Sequence, residues 1–258
     1  MRSEKGELIG KGLTAQVYGW GEGRVVKLFE DWRPAARIEQ EFEVTRAVHA
    51  AGLPVPAAYE LVEVEGRRGI VFERIDGPSM FEEVVARPWK LFGAARRLAE
   101  LHAQLHGIKA PPGLPTMREQ ITGWIDGAAE LSAAEKEELR RSLADLPDGD
   151  TLCHGDLHPA NILSSARGPV IIDWSSATRG HPIGDVARTS HLFEAADLPE
   201  ESPRHILWLF KMARAALHRT YLKRYFRLRG GSRRELEAWR PVQKAAAARW
   251  RAMMSAGK

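Results

Sequence analysis

One stretch narrows the possible folds of this chain more than any other. His154-Gly155-Asp156-Leu157-His158-Pro159-Ala160-Asn161 is followed, after a short apolar hairpin, by Ile171-Ile172-Asp173-Trp174. Ile162-Leu163 and residues 170–172 read as two short strands that frame this polar loop. The pattern sets a carboxylate at Asp156, an amide oxygen five residues on at Asn161, and a second carboxylate at a strand end at Asp173. A carboxylate that orients a hydroxyl and takes its proton, with oxygen ligands for a Mg²⁺ ion on phosphates, is what phosphoryl transfer asks of a protein. Two plainer readings compete. The polar residues could cap a loop, or His154, Asp156 and His158 could form a zinc or iron site, although Pro159 and Asn161 have no part in the latter.

The segment resembles the catalytic loop of the aminoglycoside phosphotransferase and choline kinase branch of the protein-kinase-like superfamily, in which HGDxxxxN replaces HRDxxxxN. Ile172-Asp173-Trp174 is similar to the metal-binding segment of that branch. Gly184-Asp185-Val186-Ala187 is similar to its later Asp-Leu-Ala element. The resemblance implies ATP and Mg²⁺ as cofactors, Asp156 as base, Asn161 and Asp173 as metal ligands, and His154 and Asp185 as supports of the loop. Protein kinases carry an Ala-Pro-Glu element and a long activation segment, and neither follows Asp173.

The N-terminal part supplies a nucleotide side. In Ile9-Gly10-Lys11-Gly12-Leu13 the glycines Gly10 and Gly12 let backbone N–H groups approach phosphates. Lys27 lies within the apolar strand Val25-Val26-Lys27-Leu28-Phe29 and needs an anionic partner. Glu41, on the next helix, is the chosen carboxylate by likeness to the family's helix, with Glu39 and Glu43 as rivals. Glu73 and Ile75, just before Asp76-Gly77, resemble the hinge that holds adenine.

The organisation that follows is α+β and bilobal, protein-kinase-like. Five antiparallel strands and one helix form an N-terminal nucleotide-binding lobe over residues 1–76, and a mainly helical catalytic and acceptor-binding lobe spans 77–258. Asp76-Gly77-Pro78 breaks the strand pattern. Phe92, Ala95, Leu98, Ala99, Leu101 and Leu105 recur at helical spacing on one face. Ser132 with Glu135 forms a capping box. His102 and His106, on the long helix, read as hydrogen-bonded core, and Trp174 as a residue near the substrate.

Charge enters the argument at the acceptor. The chain carries a net +4, yet residues 202–258 hold 15 lysines and arginines against two glutamates, a balance of +13 that leaves −9 for the rest. A polycationic acceptor needs carboxylates, and Asp126, Glu130, Glu194 and Asp197 are the candidates. The basic segment instead favours a neutral or anionic small hydroxylated molecule. A metabolite or macrolide-type kinase is the alternative to an aminoglycoside kinase. A more remote one is an anion or nucleic-acid binding module on Lys223, Arg224, Arg227 and Arg229, interleaved with Tyr221 and Tyr225. The single Cys153, the lack of an apolar leader in the first ten residues and the lack of a membrane-length apolar run predict a cytoplasmic protein with no membrane partner.

Overall fold

The structure, a computed structural model, describes residues 5–195 and 203–256, the last eleven of these by backbone alone. The chain divides into two compact units, Met1–Ser79 with Asn161–Ala177, and Met80–Ala160 with Thr178–Lys258. The hairpin of residues 161–177, which the sequence grouped with the C-terminal lobe, thus clusters with the N-terminal strands.

In the first unit, β1 (Lys5–Lys11), β2 (Ala15–Trp20), β3 (Arg24–Phe29), β4 (Ala58–Val64) and β5 (Arg67–Glu73) form one antiparallel sheet ordered β1-β2-β3-β5-β4. The turn between β4 and β5 is Glu65-Gly66, both at positive φ, as a two-residue hairpin turn requires. Alternation along β3 sends Val26 and Leu28 to one face, where they pack with Val71. Phe29 goes to the other face and joins Ala15, Ile38, Phe42, Ile70 and Phe72 beneath α1 (Ala35–Ala50). Lys27, midway between Val26 and Leu28, therefore also points to the α1 side. Helix α1 ends at Gly52, φ +80°, with Gly52 N–H bonding His49 O and Leu53 N–H bonding Val48 O. That pair of bonds is the left-handed Schellman stop.

The hairpin β7 (Ile162–Ser165) and β8 (Gly168–Ile171) joins this unit through backbone bonds. Ile171 N–H donates to Pro54 O at 2.7 Å and Ser164 N–H to Pro78 O at 2.9 Å. Gly77 is obligatory at its crossing, since a Cβ there would lie 1.8 Å from Ser164 O.

The second unit is built on helices: α2 (Met80–Ala86), α3 (Leu91–Leu105), α4 (Met117–Asp126), α5 (Ala133–Ala144), α6 (Pro182–Ala195), α7 (Arg204–Arg229) and α8 (Arg233–Ala256). Strands β6 (Thr151–Cys153) and β9 (Thr178–Gly180) pair antiparallel. Helices α4 and α5 each start on a capping box, Thr116 with Glu119 and Ser132 with Glu135. Helix α3 buries Ala95, Leu98, Ala99, Leu101 and Leu105, but Leu91 takes the place expected for Phe92, which is exposed. Phe92 precedes Ala95 by three residues and Leu91 by four, and the longer step turns Leu91 inward. No helix among the described residues is long and apolar enough to cross a membrane.

Candidate active site

Each unit holds its own cluster of the candidate residues. In the first, Lys27 Nζ lies 2.6 Å from Glu41 Oε1 and 3.0 Å from Asp173 Oδ1. Glu41 is buried, and its second oxygen, Oε2, has no hydrogen-bond partner among the described residues. Burial alone would lower the Lys27 pKa, but the charges of Asp173 and Glu41 and their hydrogen bonds hold it above the ordinary lysine range. Burial raises the Glu41 carboxyl even with Lys27 against it. Glu39 and Glu43, by contrast, sit on the exposed face of α1.

Asp173 has φ +64°, one of two non-glycine residues with positive φ among the described residues. Such a conformation costs on the order of 1–3 kcal/mol and persists only where surroundings impose it. They do so here. Ile172 N–H donates to Asn161 O at 3.0 Å, which brings Asn161 and Asp173 to the same end of the hairpin. Trp174 is buried, with its indole N–H on Ile171 O, and the turn it opens packs against α1. Trp174 therefore anchors Asp173 from the core and does not face a substrate. An amide oxygen and a carboxylate, both partly exposed, form a donor set suited to Mg²⁺, which keeps few protein ligands.

In the second unit, Asp156 stands on a loop whose buried backbone needs partners, and α6 supplies them from one face. Asp185 accepts from His154 N–H at 2.7 Å and from Gly155 N–H at 2.9 Å. Three and four residues later, Arg188 Nε donates to Gly155 O at 3.2 Å and Thr189 Oγ1 to Leu157 O at 2.9 Å. His154 Nδ1 accepts from Asp156 N–H at 3.2 Å. The Asp156 carboxylate is partly exposed, with Arg188 Nη2 at 3.9 Å and His158 Nε2 at 3.7 Å. Arg188 and Thr189 were missed in the sequence. Their signal is a charged residue inside the apolar-facing run Val186-Ala187-Arg188-Thr189.

His102 and His106 are core, as expected. Each bonds Asp185 Oδ2 through Nε2, at 3.1 and 3.2 Å, and a buried tyrosine hydroxyl through Nδ1, Tyr221 at 2.7 Å and Tyr225 at 2.6 Å. His102, His106 and Asp185 have the spacing of possible metal ligands. Every ring nitrogen already has an oxygen partner at 2.6–3.2 Å, so hydrogen bonding accounts for the cluster. Burial alone would raise the Asp185 pKa, but its histidine partners hold it well below the usual carboxylate range. Burial and the neighbouring His102 push His106 down to about 4, so its ring stays neutral.

The remaining sequence candidates divide. Gly12 N–H bonds Ala15 O at 2.9 Å at the β1–β2 turn, and Gly10 has open space on its Cβ side. The Glu73 carboxylate is tied to Arg167 and Ala57 N–H, leaving only its backbone for a hinge role, while Ile75 is half-buried. Asp126 bonds Arg140 and Glu194 bonds Arg240, Glu130 is exposed, and Asp197 lies outside the described residues. The basic–aromatic surface expected on α7 does not form. Tyr221 and Tyr225 point into the core, Arg224 pairs with Glu100, and Arg229 bonds His106 O.

Residues 5–237 match the model of the phosphotransferase enzyme family. Acyl-CoA dehydrogenase family member 11 of Gallus gallus is 31% identical over 183 residues, 62% of this chain and 23% of that protein. The chain thus spans about a quarter of the length of that curated relative. A hydroxyurea phosphotransferase of Kitasatospora aureofaciens is 32% identical over 120 residues, covering 42% of this chain and 35% of its own. Among solved structures, an aminoglycoside-3'-phosphotransferase of type VIII superposes with a TM-score of 0.68 at 20% identity, covering 95% of this chain and 94% of that one.

Proposed function

We propose that this chain, which belongs to the phosphotransferase enzyme family, transfers the γ-phosphoryl group of ATP to a hydroxyl of a small molecule. The observation that carries the reading is the cluster of Lys27, Glu41 and Asp173, in which one buried lysine is held by two carboxylates at 2.6 and 3.0 Å. A lysine kept charged and aimed in this way is prepared to donate to phosphate oxygens. Asn161 and Asp173 would hold Mg²⁺, which neutralises charge on the phosphates when bound. Gly10 and Gly12 would lie along the phosphates, with the backbone near Glu73 and Ile75 at the base.

Asp156 is assigned the acceptor. Its carboxylate accepts the hydrogen bond of the hydroxyl, aligns the oxygen for in-line attack, and takes the proton as the new O–P bond forms and the bond to ADP breaks. Asp185 acts through the loop backbone, keeping Asp156 in place. Most of the rate advantage would come from positioning and charge stabilisation. The paired states of Asp126 and Glu194 weigh against a polycationic acceptor, and the relative named for hydroxyurea favours a small uncharged one. The lone buried Cys153 suits a reducing cytosol, where ATP is supplied.

ADP release measured with Mg·ATP across sugars, amino alcohols, hydroxyurea, macrolides and aminoglycosides tests the proposal. Asp156→Asn is expected to lower kcat on the preferred acceptor by about 10²-fold or more while leaving nucleotide affinity near wild type. Turnover within a few-fold of wild type would remove Asp156 from this role.

A further inference from the structure

Arg188 is almost fully buried, yet a guanidinium cannot shed its charge as a lysine or histidine can. Its surroundings neutralise it incompletely. Nε bonds the Gly155 carbonyl, the guanidinium stacks over Trp124 at 5.3 Å from the ring centroid, and Nη1 has no hydrogen-bond partner among the described residues. Two carboxylates act on the guanidinium: Asp156, with Oδ1 3.9 Å from Nη2, and the buried Asp185, one turn earlier on α6. The distance to Asp156 is too long for a good hydrogen bond, so that pair is held by the fold and not by its own attraction. A buried charge fixed beside a reactive carboxylate has a consequence for whatever binds there.

We propose that Arg188 determines acceptor specificity: its fixed charge cancels the pull of Asp156 on cations, so the site selects hydroxylated acceptors with no cationic group next to the reacting hydroxyl. The inference rests on the kinase reading above and names its substrate class. An acceptor hydroxyl in hydrogen-bond reach of Asp156, about 3 Å away, puts its neighbouring atoms within roughly 4–7 Å of the guanidinium. A lone carboxylate at that spot would draw an ammonium group toward the reaction centre. A carboxylate with an arginine locked beside it presents a dipole, and an ammonium on the arginine side meets repulsion that protein surroundings screen poorly. Oxygens of neighbouring hydroxyl, carbonyl or carboxylate groups meet attraction instead. His158 Nε2, 3.7 Å from the other Asp156 oxygen, offers a polar ring on the opposite flank.

Acceptor pairs that differ only in acetylation of an amine isolate the effect: glucosamine with N-acetylglucosamine, ethanolamine with N-acetylethanolamine, and kanamycin with its fully N-acetylated form. The readout is the ratio of kcat/KM within each pair, from ADP release with Mg·ATP. Wild type is expected to favour the acetylated member by about 10-fold, the scale of one partly screened charge interaction. Arg188→Gln should shift that ratio about 10-fold toward the free amine, whatever it does to the absolute rate. Arg188→Lys, whose buried ammonium can lose its proton as a guanidinium cannot, should return toward the wild-type ratio as pH falls. A purely structural role would slow both members of a pair alike and leave the ratio unmoved. That result overturns the proposal, and so does a wild-type preference for the free amines, which needs no variant to fold. ADP release with none of the pairs, and with none of the sugars, hydroxyurea and macrolides above, would overturn the small-molecule kinase reading itself.

Discussion

Replacing Lys27 with methionine removes the cation that separates two carboxylates, and the structure sets what should follow. Glu41 is left buried with no counter-charge at 2.6 Å, and Asp173 loses its bond at 3.0 Å. Removing one partner of a buried pair costs about 3–5 kcal/mol. The share that involves Asp173 is reduced by solvent, since its side chain is 36% exposed, so a loss of about 3 kcal/mol at pH 8 is expected. Burial already raises the Glu41 carboxyl above its ordinary value in the presence of Lys27. Without the lysine the folded protein binds a proton more tightly than the unfolded chain. Stability of Lys27→Met should therefore rise as pH falls from 8 to 5, by at most about 1.4 kcal/mol per pH unit for one proton. Wild type should show a shallower slope, because its Lys27 contribution is lost only above the lysine range. Urea unfolding followed by tryptophan fluorescence at pH 5, 6.5 and 8 measures both terms. Adding Glu41→Gln should abolish the extra slope and recover part of the loss at pH 8. A Lys27→Met protein as stable as wild type, or a deficit that is flat with pH, would refute the reasoning.

Asp173→Ala should weaken Mg·ATP binding measured by calorimetry, and Asn161→Ala should do so less, since a carboxylate holds the cation more strongly than an amide. Gly77→Ala should cost about 3 kcal/mol or more, read as a lowered urea midpoint, because its Cβ would meet Ser164 O at 1.8 Å with φ at +153°. Burial, then Arg240, Arg233 and Arg214, push His218 down to about 4. The unfolded state thus takes up the extra proton first, and His218 alone should remove about 1.5 kcal/mol of stability as pH drops from 6.5 to 5. His218→Gln should flatten that part of the unfolding profile.

The elements legible in the sequence were those whose signals are local. Glycine turns, the alternation of Val26, Lys27 and Leu28, and the Ser132 capping box each depend on residues a few positions apart. Strands β6 and β9 were not legible, since three residues apiece carry no period and their pairing spans Thr151 to Gly180. Helix α2 is too short for its apolar residues to define a face, and three of them, Met80, Phe81 and Val85, differ in burial. In the candidate site, Lys27 was legible as a charge in an apolar strand. Its choice of Glu41 over Glu39 and Glu43 followed from likeness, and the structure supplies the reason, because only Glu41 lies on the sheet-facing side of α1. Arg188 carried only the signal of a charge in an apolar-facing run, because its partners Gly155 and Trp124 are distant in sequence. Trp174 was misread for a related reason. Standing next to Asp173 says nothing about which way an indole points, and a left-handed Asp173 followed by a tight turn sends it into the core.

The geometry within each unit supports the proposed catalysis over simple anion binding. The hairpin that carries Asn161 and Asp173 is bonded to Pro54 and Pro78 and packed on α1, so the spacing of Lys27, Glu41 and Asp173 is set within the first unit alone. Asp156 belongs to the second unit, where Asp185 accepts from two backbone N–H groups and two histidines while Arg188 and Thr189 hold the loop carbonyls. A module that bound anions through the arginines of α7 and α8 would need neither arrangement. It would have no use for a lysine drawn between two carboxylates, which lowers the net positive charge, or for the strain of Asp173 at φ +64°. Strain and buried charge are retained where the surroundings over-determine them and where function repays the cost. Under the proposed function one such device would serve phosphate and metal and the other a positioned carboxylate, and the transfer of a phosphoryl group to a hydroxyl calls for both.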